Sequence, residues 1–185
     1  KHIKEAEKTY KIDISEPMSV LPIMYWTPKM HKTPSKARYI VAAAKCTNKA
    51  LAKDITSVLK LFYRQIENYN AKMHKMSNIK NFWVVKNKDP VIEGLNYLSN
   101  KDKAKSIATY DFSTLYTKIP HNKLLLVLNE ITDFCFTGCA FSKVWIEKGN
   151  AGWCHNPKKK TKKKTNKRIM DKTQIKNAIA YLLDN

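Results

Sequence analysis

Asp111 lies in the run Thr-Tyr-Asp-Phe-Ser-Thr-Leu-Tyr-Thr at 109–117, at the end of an alternating segment and five residues before an aromatic, Tyr116. Ile107, Thr109 and Asp111 would share one face of a strand, with Ala108, Tyr110 and Phe112 on the other. The polar Ser113-Thr114 then lets the chain turn. A carboxylate where strand becomes turn is free to hold a cation, and this spacing points to nucleotidyl transfer. That reaction is an in-line attack of a hydroxyl on an α-phosphate, with pyrophosphate leaving between two Mg²⁺ ions roughly 3.5–4 Å apart. Several carboxylates must converge to hold such ions. In an arbitrary sequence a lone strand-end carboxylate is a turn cap, so the neighbouring elements carry the decision.

Those elements read as a mixed α+β chain. Residues 1–18 suggest a helix ending before Pro17. Val20–Trp26 reads as a buried strand and Lys36–Ala43 as a second one. Between them, Pro28, Lys29, His31, Lys32 and Pro34 favour an exposed, stiff turn, giving a hairpin with a basic tip. Asn48 is placed to cap a helix to about Asn68, with Leu51, Ile55, Val58, Leu59, Phe62 and Ile66 at helical spacing. A short strand is expected around Phe82–Val85. Asp89-Pro90 then opens a helix that would bury Val91, Ile92, Leu95 and Leu98. Pro120 and Asn122 open another through about Phe136, and Asp171-x-x-Gln174 has the form of a capping box for a last helix to about Leu183.

Residues 137–170 carry Gly138, Gly149, Gly152, two tryptophans and the run Pro157-Lys-Lys-Lys-Thr-Lys-Lys-Lys-Thr-Asn-Lys-Arg168. Such a charge block repels itself and is expected to be mobile. A phosphate-binding arm, a nuclear localisation signal and a variable insertion loop are all compatible with it. The last is the expectation.

Lys+Arg 35 against Asp+Glu 15 gives a net charge of +20, and 43% hydrophobic residues exclude global disorder. A polyanion is the natural partner, since each neutralised phosphate releases condensed counterions. No run of 18 apolar residues exists, so no membrane span is expected. Four cysteines (Cys46, Cys135, Cys139, Cys154) are too few and too irregular for a disulfide scaffold. Zinc bound by Cys135, Cys139, Cys154 and His155 is a weaker reading than buried or free thiols, because adjacent Cys154 and His155 would strain a tetrahedral site.

The block Thr109–His121 (TYDFSTLYTKIPH) resembles the first palm motif of reverse transcriptases of Penelope-like retroelements. Leu21–Cys46, with Pro-Lys-x-His-Lys at 28–32 and Ala-Arg-Tyr-Ile at 37–40, is similar to the same family's fingers segment. Residues 47–68 and 82–98 resemble the helical stretches between those blocks, and Ala178–Asn185 the helix leading to the second palm motif. The resemblance implies fingers and a partial palm of a polymerase right-hand fold, with helices packed on a small, mostly antiparallel sheet. Residues 18–110 would be mainly fingers. Residues 106–185 would start the palm, with a basic insertion at about 137–170.

By the same resemblance Asp111 bridges two Mg²⁺ ions, with the backbone carbonyl of Phe112 as a further ligand. Tyr116 takes the place of the aromatic under the incoming deoxynucleoside triphosphate's sugar. Lys32 and Arg38 would contact the triphosphate, with Lys29 and Lys36 on nucleic acid, and His31 would stiffen the turn. Trp26, Tyr39 and Trp83 are expected to pack, unless an aromatic at the fingers surface stacks on a template base. An RNA template with a DNA primer, or an RNA–DNA hybrid, would be the partner, in an intracellular compartment, nuclear or cytoplasmic. The family's Gln-x-x-Gly-x-Pro-x-Gly segment and its Asp-Asp pair do not occur in this sequence. The chain as given is therefore expected to be a fragment, inactive alone. A noncatalytic basic nucleic-acid-binding protein or a non-functional remnant is the alternative.

Overall fold

A computed structural model describes residues 2–10, 22–30, 33, 36–43, 46, 48–79, 84–103, 105–110, 118–154 and 167–184. Five helices occur among them: α1 (His2–Tyr10), α2 (Asn48–Ser77), α3 (Asp89–Ser99), α4 (His121–Thr137) and α5 (Lys172–Asp184). The strands are β1 (Ile23–Lys29), β2 (Lys36–Ala42), β3 (Lys143–Glu147), β4 (Asn150–Trp153) and β5 (Arg168–Asp171). β1 pairs with β2, and β3 lies between β4 and β5, all antiparallel. The class is α+β, as the sequence suggested. The chain forms two compact units, Lys1–Arg64 with His121–Asn185, and Gln65–Pro120.

The core of the first unit follows the helical spacing of its sequence. Leu51, Ile55, Val58 and Phe62 of α2 are buried, together with Cys135 of α4 and Ile175, Ala178, Ile179 and Tyr181 of α5. Phe62 stacks on Trp153 with ring centroids 6.0 Å apart and meets Phe136 edge-on at 6.1 Å. The capping box forms in full: Asp171 N–H donates to Gln174 Oε1 and Gln174 N–H to Asp171 Oδ1, both at 2.9 Å. Two orphan donors at the start of α5 are thereby satisfied. Asn48 has a different task from the expected cap, since its Oδ1 accepts the Tyr181 hydroxyl at 2.8 Å and ties α2 to α5. Tyr10 of α1 meets Tyr181 edge-on and donates to Asp184 at 2.8 Å.

Asp133 on α4 is clamped by Lys176 at 2.7 Å and Lys172 at 3.2 Å, both from α5. The hydrogen bond from Lys176, then that from Lys172, holds its carboxyl below the usual value of 3.8. A carboxylate with a depressed folded-state pKa stabilises above its unfolded value, and that contribution fades as pH falls through the folded one. The Asp133→Asn variant should therefore be less stable than the parent at neutral pH and converge with it in strong acid. Urea titrations at both pH values would show it. The clamp is solvent-exposed, so the difference should be small.

The three-stranded sheet occupies a stretch expected to be a basic insertion. Val144 and Ile146 of β3, Ala151 of β4 and Met170 of β5 point into the core. Lys148 (φ 47°) and Gly149 (φ 78°) join β3 to β4 with both central residues left-handed. That is the two-residue turn whose twist matches an antiparallel pair. Trp145 lies over Gly152, where an added Cβ would come within 2.7 Å of the indole. The last two residues of the lysine-rich run are held in place. Lys167 sits 5.0 Å above the Trp145 ring, and Arg168 donates to Asp54 of α2 at 2.9 Å. The rest of the run, through 166, lies outside the described residues.

Several expectations need correction. β1 is not buried: Ile23, Met24, Tyr25 and Trp26 are 47–68% exposed. It also begins later than expected and carries Pro28, which a two-stranded pair tolerates because both strands are edges. α2 runs past Asn68 to Ser77, where Asn78 (φ 56°) takes the left-handed position that ends a helix.

In the second unit Val84 and Val85 are exposed and form no strand; Phe82 and Trp83 lie outside the described residues. α3 starts where expected but buries none of its residues, and Asp89 is not its cap, accepting instead from Asn87 at 2.9 Å. Residues 105–110 are irregular, with Ile107 71% and Tyr110 94% exposed. The strand expected to lead into Asp111 is thus not formed there. An extended segment becomes a strand only when a neighbour takes its backbone groups, and among the described residues none pairs with this one.

Candidate nucleic-acid interface

The β1–β2 register fixes which side chains of the hairpin act together. Ile23 faces Ala42, Tyr25 faces Ile40, Thr27 faces Arg38 and Lys29 faces Lys36 on one side. Met24 faces Val41, Trp26 faces Tyr39 and Pro28 faces Ala37 on the other, because successive residues of a strand alternate between faces. Pairing thus gathers Lys29, Lys36 and Arg38 on one face and leaves the opposite face wholly apolar. Lys36 and Arg38 are exposed and Lys29 is half-buried.

Like charges directly opposite one another, as Lys29 and Lys36 are, destabilise a strand pair in isolation. The repulsion is relieved when an anion lies between them. Arg38 adds a planar fork suited to two phosphate oxygens, and the two lysines act as point charges. This face can therefore bind phosphate. On the other face, Trp26 is 63% and Tyr39 69% exposed, so neither packs as expected. Both present a ring on which a base can stack.

Lys32 of the hairpin turn, Asp111, the carbonyl of Phe112 and Tyr116 all lie outside the described residues, as does His31. Among the described residues no group of three or more His, Cys, Asp or Glu side chains is gathered to hold a metal ion.

None of the four cysteines is in a disulfide. Burial pushes the Cys135 thiol up to about 11, and Cys139 beside it acts in the same direction. Cys139 donates to the Cys135 carbonyl at 3.1 Å. Burial also raises Cys154. Thiols held protonated are poor nucleophiles and poor metal ligands, so Cys135 and Cys154 offer packing rather than chemistry. His155 lies outside the described residues.

No helix among the described residues is long and apolar enough to cross a membrane. No protein family, curated protein or solved structure matches this chain.

Proposed function

We propose that this chain is part of an RNA-directed DNA polymerase of the Penelope-like retroelement type, comprising the fingers and the start of the palm of a right-hand fold. The observation that carries the reading is the ordered set of sequence blocks, Pro-Lys-x-His-Lys, Ala-Arg-Tyr-Ile and TYDFSTLYTKIPH. The basic face of the hairpin supports it, with Arg38, Lys29 and Lys36 aligned as a phosphate-binding surface. In this reading Lys32 and Arg38 hold the triphosphate and Tyr116 bounds the sugar. Asp111, with the Phe112 carbonyl, takes the metal-binding position of the first palm motif. A single carboxylate does not suit two Mg²⁺ ions, which dehydrate reluctantly and need several anionic ligands. The residues in hand therefore bind template and primer without joining nucleotides.

Two measurements test this. Purified chain should retain an RNA–DNA hybrid in a salt-dependent manner and give no primer extension with deoxynucleoside triphosphates and Mg²⁺. Extension would overturn the inactivity, and failure to bind the hybrid would overturn the nucleic-acid role. The coding sequence beyond Asn185 separates a polymerase fragment from a noncatalytic binding protein. Continuation into Gln-x-x-Gly-x-Pro-x-Gly and an Asp-Asp pair favours the first, a stop codon the second.

A further inference from the structure

The solvent face of α2 carries Lys49, Lys53, Lys60 and Arg64, all exposed. At 3.6 residues per turn these four fall within an arc of about 60°, opposite Leu51, Ile55, Val58 and Phe62, and span about 22 Å along the axis. The apolar side locks the helix into the core, so the cations stand at fixed spacing on a rigid support. One carboxylate occurs between Asn48 and Arg64, Asp54, and Arg168 occupies it.

Several cations elsewhere in the first unit do have carboxylate partners: Lys172 and Lys176 have Asp133, and Lys167 has Glu147 at 3.9 Å. Among the described residues no carboxylate pairs with any of the four on α2. A straight row of uncompensated charge repels itself, and a partner with regularly spaced negative charge removes that cost.

We infer that this stripe is a second nucleic-acid contact, separate from the hairpin, that lies along the phosphate backbone of a duplex. A duplex fits better than a single strand because both arrays are stiff, so neither has to be ordered on binding. An anionic membrane fits worse, since the apolar side of α2 is consumed by the core and no face remains for acyl chains. The inference rests on the nucleic-acid half of the proposed function and not on its polymerase chemistry.

The test replaces Lys49, Lys53, Lys60 and Arg64 together by Gln, and compares a control in which Lys4, Lys8, Lys103 and Lys123 are replaced. Both sets are exposed and Gln keeps the helix propensity, so folding is retained and circular dichroism verifies it. Binding to a short RNA–DNA hybrid is measured at about 50 and 200 mM salt. The parent's loss of affinity between these salts should exceed that of the α2 variant by a factor of about 40–150, corresponding to three or four lost phosphate contacts. The control should behave nearly as the parent.

Equal loss in both variants would reduce the stripe to bulk charge and overturn the inference, as would an unchanged α2 variant. So would a parent that binds phosphatidylserine vesicles and not the hybrid. Loss confined to a hairpin variant, Lys29, Lys36 and Arg38 to Gln, would sink the stripe while leaving the proposed function standing.

Discussion

Phe62→Ala is expected to be among the most damaging single substitutions in the chain, lowering stability by about 3–5 kcal/mol. Phe62 is 1% exposed and joins three elements: its own helix, α4 through Phe136, and β4 through Trp153. Truncation removes the transfer energy of a phenyl ring and opens a cavity. Phe136 and Trp153 cannot close it, because they are braced edge-on against each other at 5.1 Å. Part of the loss is the ring geometry itself, about 0.5–1.5 kcal/mol per aromatic pair beyond buried area. Denaturant titration followed by tryptophan fluorescence would report it, since Trp153 lies in the cluster. A loss under about 1 kcal/mol would mean that the site collapses freely and that the cluster is not the keystone of the first unit.

The second large effect is on binding. Replacing Lys29, Lys36 and Arg38 together by Gln should reduce the salt sensitivity of hybrid binding. The affinity lost between about 50 and 200 mM salt should shrink by a factor of about 10–40 relative to the parent, for two or three lost phosphate contacts. The register places the three on one face, so they engage one partner jointly and their effects should be coupled. Stability should hold steady or rise slightly, because the Lys29–Lys36 repulsion disappears. A fall in stability would indicate that the lysine stems pack in the folded chain, and unchanged salt dependence would remove the hairpin from the interface.

The sequence disclosed local rules well and tertiary ones poorly. The capping box at Asp171 and Gln174, the buried stripe of α2 and the hairpin between 23 and 42 follow from residue chemistry within a few positions, and all three form. The exposure of β1 and α3 was not legible, because an apolar period says which face wants covering and not whether anything covers it. The three-stranded sheet was obscured by glycines and lysines. Its signal was nonetheless present in Val144 and Ile146 alternating with Trp145, followed by Lys-Gly at a two-residue turn. The strand expected before Asp111 failed for a related reason, since alternation at 107–111 cannot supply a pairing neighbour. The cations of α2 share their period with its apolar residues, and a search for Lys and Arg at that spacing would have found the stripe.

The anchoring of Lys167 and Arg168 has a consequence for how this chain tolerates change in length. β4 ends at Trp153 and β5 begins at Arg168, and both strands are fastened to β3. Arg168 is fastened in addition to Asp54 of α2. The entropy of closing a loop between fixed ends grows only logarithmically, by about 0.6 kcal/mol for each doubling of its length. With both ends fixed in this way, a change in the number of lysines between them should cost the core little. The charge carried by that connection can thus drift, or be selected, nearly independently of folding.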